Sequence, residues 1–204
     1  MDVFKKELKS MKTITENKMM GIFAVLALCL VFAGGTIKEV QAASAREIDA
    51  SVDETLENFY KEIGSGKKLV QDAKGVLIFP NVIKAGFGIG GSYGEGALRI
   101  NGKTVDYYNT AMASIGFQIG IQKKAIILVF MQDEVLNRLR TSENWKAGAD
   151  AAVTLINVGA DGSIDTQKLN EPIIAFVIGQ KGLMYNLSLE GTKFTKLNKS
   201  VPNS

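Results

Sequence analysis

Residues 96–108, GALRINGKTVDYY, decide the architecture. Asn101-Gly102 is a hairpin turn signal, because both residue types tolerate the backbone conformation that a tight reversal demands. Leu98 and Ile100 lie on one side of it and Val105 and Tyr107 on the other, so two antiparallel neighbours are expected. Upstream, GVLIF at 75–79 reads as a buried strand ended by Pro80, and Asn81–Lys84 as a turn or one helical turn. AGFGIGG at 85–91 and residues 93–100 read as glycine-rich strands. Downstream, ASIGFQIGIQ at 113–122 alternates: Ile115, Phe117, Ile119 and Ile121 point one way, glycine, serine and glutamine the other. Lys123-Lys124 is expected to turn the chain into AIILVFM at 125–131, apolar on both faces and hence central or covered.

The rest follows the same pattern of short elements. Ile48, Val52, Leu56, Phe59 and Ile63 recur at spacings of four and three, which predicts an amphipathic helix over 45–63, stopped by Gly64 and Gly66. It reads as a helix covering one face of the domain; a helix lying on a membrane surface is the alternative, disfavoured by its acidic polar face. A short helix carrying Val135, Leu136 and Leu139 is expected from Gln132-Asp133, with acidic residues at the positive end of its dipole. Strands are expected at 151–159, 173–179 and 183–191, with a turn at Asp161-Gly162. The fold class is therefore α+β: seven or eight short strands in a mostly antiparallel β-sheet or partly closed barrel, with an N-terminal covering helix and a short additional helix.

Gly86, Gly88, Gly90, Gly94 and Gly96 share one parity, so a regular strand would clear side chains from one of its sides. That permits strong curvature or close approach of another backbone, or of a ligand or lipid. A bulge is expected near Gly91–Gly94, where the large apolar residues change parity. The spacing also superficially resembles a phosphate-cradling loop, but it lacks the following helix and a G-K-[ST] step.

The chain has no histidine and one cysteine. A Ser-His-Asp triad and histidine-containing zinc sites are excluded, and no metal or cofactor site is expected. Glu95, among glycines beside Tyr93, is the most interesting carboxylate, but a solvated turn residue is its plainer reading. Asp161, Ser163 and Asp165 resemble only the start of a calcium loop, since Pro172 stands where its terminal glutamate belongs. The chain is read as non-enzymatic.

Lys5, Lys6, Lys9, Lys12 and Lys18 precede the uncharged 17-residue run Met19 to Gly35, and TIKEVQAAS follows. This is the form of a secretory signal peptide, with release at Ala43 preferred and an uncleaved anchor as the alternative; 17 residues span about 25 Å as a helix. Leu28 before Cys29 fits a lipoprotein cleavage site poorly. The expected domains are thus a signal peptide at 1–42 and a single domain at 43–204, exported to the periplasm or cell envelope. The leader holds six of the 24 Lys/Arg and four of the 21 Asp/Glu, leaving 18 and 17, a net +1. No electrostatic case for nucleic acid survives.

Three stretches, DAKGVLIFPNVIKAGFGIGGSYGEGALRI at 72–100, YYNTAMASIGFQIGIQKKAIILVFM at 107–131 and IIAFVIGQKGLMYNLSLEGTKF at 173–194, resemble the SYLF (Ysc84-like) family of lipid-binding domains, in the form of its bacterial exported branch. The resemblance implies lipid or membrane association, with anionic phospholipid or another envelope amphiphile as the partner. The alternative is an envelope structural or protein-interaction module that binds envelope proteins without direct lipid contact. It does not define site residues, so these rest on local chemistry. Lys74 and Lys84 bracket Pro80 and are placed to meet a headgroup phosphate, with Lys123, Lys124, Lys181 and Lys193 as further basic edges. Phe87 and Tyr93 are candidates to line a lipid groove, and Trp145 is open to an interfacial role.

Overall fold

The computed structural model describes residues 43–156, 166–179, 182–183 and 188–201, with backbone alone for 86–89, 114–120, 166–167 and 182–183. The expected signal at 1–42 with Cys29, the turn at Asp161-Gly162, the Asp161–Asp165 loop, Lys181 and residues 184–187 of the strand expected at 183–191 lie outside these residues, as does the side chain of Phe87.

The unit Ala43–Ser204 opens with helix α1, Ala45–Glu62. Ser44 caps it: its Oγ accepts from the Glu47 amide at 3.3 Å, while Glu47 Oε2 accepts from the Ser44 amide at 2.7 Å. Ile48, Val52 and Phe59 face the sheet and are buried, as is Ile63 just past the helix. The apolar stripe is therefore used up in the core, and the membrane-surface alternative for this helix is ruled out. Only three residues, Ile63, Gly64 and Ser65, separate it from α2, Gly66–Asp72. Gly66 matters for contact: an added Cβ would meet the Phe59 ring at 3.0 Å.

Two strands dominate. β1 spans Gly75–Ile100 and β2 spans Lys103–Phe130, joined at Asn101 and Gly102, which take φ of 50° and 76°. They pair antiparallel from Ile100↔Lys103 to Gly75↔Phe130. The several short strands anticipated for this region are thus one continuous ribbon. Lys123-Lys124 does not turn; the two lysines pair with Ile83 and Val82 in mid-strand. Lysine has none of the backbone freedom or local side-chain bonding that makes a turn. Asn81–Lys84 stays extended too, with Pro80 and Asn81 bulging opposite Ala125. The irregularities fall between Phe79 and Val82, Gly86 and Gly88, and Leu98 and Arg99; the break anticipated at Gly91–Gly94 is absent.

After β2 come α3 (Asp133–Thr141), β3 (Asn144–Lys146), β4 (Thr154–Leu155), a 3₁₀ turn (Thr166–Asn170), β5 (Ile173–Gly179), β6 (Gly182–Leu183) and β7 (Lys193–Leu197). The sheet order is β3-β7-β2-β5-β4, with β1 on β2 and β6 on β5; β4 and β5 are its parallel pair. β5 occupies the residues expected of it. Helix α2 and strands β3 and β7 were not anticipated, being short elements with few apolar residues; of the strand expected at 151–159 only Thr154–Leu155 forms among the described residues, and residues 188–191 of the one expected at 183–191 are loop and turn.

The register sorts the ribbon into two faces. Val76, Ile78, Ala97, Tyr107, Ile127 and Val129 pack under α1. Leu77, Phe79, Val82, Leu98, Tyr108, Ile126, Leu128 and Phe130 form the second core with α3, Trp145 and Phe194. Gly94 and Gly96 are on this second face, and here β1 bends back over itself. A Cβ on Gly94 would lie 2.8 Å from the Asn81 carbonyl oxygen, and one on Gly96 would overlap the Ile78 carbonyl. The second face is thus the concave side of a curled, partly closed half-barrel. Curvature and backbone approach are what these two glycines provide. Trp145 sits in this core at 1 % exposure, 5.6 Å from the Phe194 ring, so its interfacial reading is overturned.

On the convex side, α1 is tied down by a polar cluster. Asp49 accepts from Thr104 Oγ1 and from Tyr107 Oη, each at 2.7 Å, and lies 3.5 Å from Arg99 Nη2, which also reaches Asp53 at 2.9 Å. Burial, then the Asp49 carboxylate, push the Tyr107 hydroxyl well above the ordinary tyrosine range. Burial, then Asp106, do the same to Tyr108. Both stay protonated in the folded state after an unfolded tyrosine would ionise, so stability is unaffected below pH ~10 and falls as pH rises beyond it. A spectrophotometric titration should show these two of the five tyrosines ionising only with unfolding. Five tyrosines titrating together near pH ~10 in the folded protein would contradict this burial.

Candidate functional site

Beside the part of the sheet that α1 covers, β1 and β2 carry exposed side chains at Ile83, Ala85, Ile121 and Lys123. Ile83 pairs with Lys123, and Ala85 with Ile121. These four share the convex face. Ile83 is 50 % and Ile121 79 % exposed, which for β-branched apolar residues on adjoining rungs leaves an uncovered apolar step beside a lysine. On the opposite face of the same rungs, Val82 pairs with Lys124 and Lys84 with Gln122. Val82 is buried, whereas Lys84 and Lys124 are half-buried. Burial, and then the neighbouring Lys84 charge, hold the Lys124 ammonium below the ordinary lysine range. A shallow cleft of about 280 Å³ runs beside this edge between Glu54, Thr55 and Asn58 of α1 and Pro80, Lys123 and Lys124.

Three of the lysines expected from sequence are therefore brought together: Lys84, Lys123 and Lys124. Lys74 is not among them. It precedes β1 at the far end of the ribbon, six β2 residues from Lys124, or about 20 Å, and lies 3.9 Å from Asp133 Oδ2. Tyr93 is also elsewhere, pairing with Ala111. It is half exposed, and its hydroxyl donates to Glu95 Oε1 at 2.9 Å. Burial and then Glu95 push its pKa up to about 12.

Glu95 is neither a solvated turn residue nor one of a carboxylate pair. Its Oε2 lies 3.2 Å from Lys199 Nζ, which donates to the Ala43 carbonyl at 2.6 Å, so it links β1 to the start of α1. Among the described residues no group of three or more His, Cys, Asp or Glu is arranged to hold a metal ion. No helix among them is long and apolar enough to cross a membrane.

The exposed Ile83 and Ile121 were missed by sequence reasoning. Ile121 closes an alternating apolar row, which reads as core throughout. Their exposure rests on the length of the merged strand, which the sequence did not reveal: an 18-residue helix is about 27 Å long, while a 28-residue strand runs for about 90 Å. Such a helix cannot cover such a row. A further cavity, about 420 Å³ between α1, α2 and the hairpin turn, is lined by Asp53, Leu56, Tyr60, Val70, Arg99 and Asn101.

Residues 111–200 match the sequence model of the Ysc84 family, described as Las17-binding protein actin regulator. No curated protein matches the chain. The match takes in most of β2, with Ile121, Lys123 and Lys124, and continues through β7. Residues 111–200 thus form a Ysc84-like region, carried on a curled antiparallel sheet.

Proposed function

We propose that the protein is a non-enzymatic, membrane-associated lipid-binding module of the cell envelope, of the exported SYLF type, with residues 1–42 acting as its signal peptide. The observation that carries the proposal is the uncovered Ile83 and Ile121 on adjoining rungs, with Lys84, Lys123 and Lys124 on the same stretch of ribbon. Isoleucines of this kind gain about 1.5–3 kcal/mol each when fully removed from water. A lysine near an anionic surface adds about 1 kcal/mol. Their sum favours reversible, peripheral attachment to anionic phospholipid or another envelope amphiphile. Las17 binding and actin regulation belong to the description of the family, and the expected export of this chain keeps them out of the proposal.

The test is co-sedimentation of protein purified from cells expressing the full chain, with zwitterionic and anionic liposomes at low and physiological salt. Binding should require anionic lipid and weaken with salt. The double variant Ile83→Ser/Ile121→Ser should lose about tenfold in affinity while its Tm stays within a few degrees, since both side chains are exposed. Unchanged binding by that variant would sink the assigned edge. Absence of binding under every condition would favour an envelope protein-interaction module instead.

A further inference from the structure

We infer that Lys84, Gln122 and Lys124 form a seat for a phosphomonoester dianion on the concave face of the ribbon, separate from the apolar step on the other face. The inference deepens the proposed membrane role and rests on it for where the phosphate is presented.

Val82↔Lys124 and Lys84↔Gln122 are pairs two residues apart on the strands, so Lys84, Gln122 and Lys124 share one face. Lys84 and Lys124 are diagonal neighbours on that face, a relation that places Cβ atoms within about 8 Å. Ammonium groups at that spacing can converge on one tetrahedral anion, each donating a charge-assisted bond of about 2.8 Å. The amide of Gln122 supplies a third donor beside them.

Two features make this more than a pair of surface lysines. Both are half-buried, and neither is within ion-pair distance of a carboxylate among the described residues. Glu54 lines the adjoining cleft but forms no ion pair with them. The loss of water, and then the adjacent Lys84 charge, penalise the charged form of Lys124. A bound dianion would relieve both effects.

The number of charges sets the preference. A phosphomonoester carries about −1.5 to −2 near neutral pH and offers three terminal oxygens. A phosphodiester carries one charge, and one of the two lysines would remain unmatched. The seat therefore selects a terminal phosphate, whether it belongs to a lipid headgroup or to a free phosphate ester.

Vesicles of phosphatidylcholine containing phosphatidic acid are compared with vesicles containing phosphatidylglycerol at matched surface charge. In a second arm, inorganic phosphate is titrated into the protein and the amide resonances of residues 84, 122 and 124 are followed by NMR. Phosphatidic acid should be preferred by about fivefold or more. Lys84→Gln and Lys124→Gln should each bring that ratio close to one, while Ile121→Ser weakens both lipids and leaves the ratio in place. If the vesicles show no preference but inorganic phosphate moves the three resonances, and Lys124→Gln abolishes that movement, the seat stands and its ligand is a soluble phosphate ester. A vesicle preference that survives both lysine variants overturns the seat. So does an absence of both preference and resonance movement. Binding to phosphatidylglycerol vesicles reports on the membrane reading independently of these outcomes.

Discussion

Replacing Gly96 by alanine should destabilise the protein by about 3 kcal/mol or more, the largest effect expected of a methyl group added at any of the described glycines. The new Cβ would be driven into the Ile78 carbonyl oxygen and to 2.7 Å from the Phe79 ring. Phe79 is fully buried against Phe194 at 5.4 Å, so the ring has nowhere to retreat. The carbonyl belongs to a strand whose next residues are fixed by the Phe79↔Ile126 rung and the bulge after it. Relief has to come from opening the curl itself. At about 2–4 °C per kcal/mol for a domain of this size, the melting temperature should fall by roughly 10 °C. Gly64→Ala is the matched control, since nothing lies within 4 Å of its added Cβ. Thermal denaturation of the two variants settles the matter: equal, small shifts would mean that β1 does not fold back on itself at Gly96.

Asp49→Ala should follow, with a loss of about 2–3 kcal/mol. One carboxylate here receives the hydroxyls of Thr104 and Tyr107, and Tyr107 is fully buried. Truncation leaves the Tyr107 donor without a partner in a place closed to water, a larger cost than the net worth of the bond. Arg99 keeps Asp53 at 2.9 Å and the Gly102 carbonyl at 3.1 Å, so its own position changes little. Asp49→Asn, which retains an acceptor oxygen, should lose less. Tyr107→Phe removes the orphaned donor and should partly rescue Asp49→Ala. Urea unfolding of the two single variants and the double variant gives their coupling; strictly additive losses would show that the hydrogen bond does not hold α1 to the sheet.

What could be read in the chain depended on how local each signal was. The α1 stripe, the Asn101-Gly102 reversal and the β5 run each carry their cause within a few residues, and all three are where they were expected. The merger of short strands into β1 and β2 was illegible because Pro80 and Lys123-Lys124 look like interruptions. A bulge and a polar rung accommodate them without ending the ladder. The same holds for the site. Lys84 is 39 residues from Lys123 and 40 from Lys124, and their meeting depends on a register that two irregularities shift between the turn and these rungs. Ile83 and Ile121 carry the apolar pattern of core residues, and only the reach of α1 decides that they are left uncovered. Lys74, read as bracketing Pro80 with Lys84, and Tyr93, read from its aromatic ring, are sent elsewhere by the register.

The joining of β1 and β2 in one antiparallel ribbon also bears on how the domain assembles. Gly75 and Phe130, 55 positions apart in the chain, become neighbours without any separate search, because every rung between them can close in turn from the Asn101-Gly102 reversal. The entropy of bringing distant segments together is largely met once, at a loop of two residues. The strands β5 and β7 and the helix α1 then find an edge and a face already built. Pairing that spreads from this reversal builds the stretch from 75 to 130, with the exposed edge of Ile83, Ile121 and the lysines, largely from contacts that are local at each step.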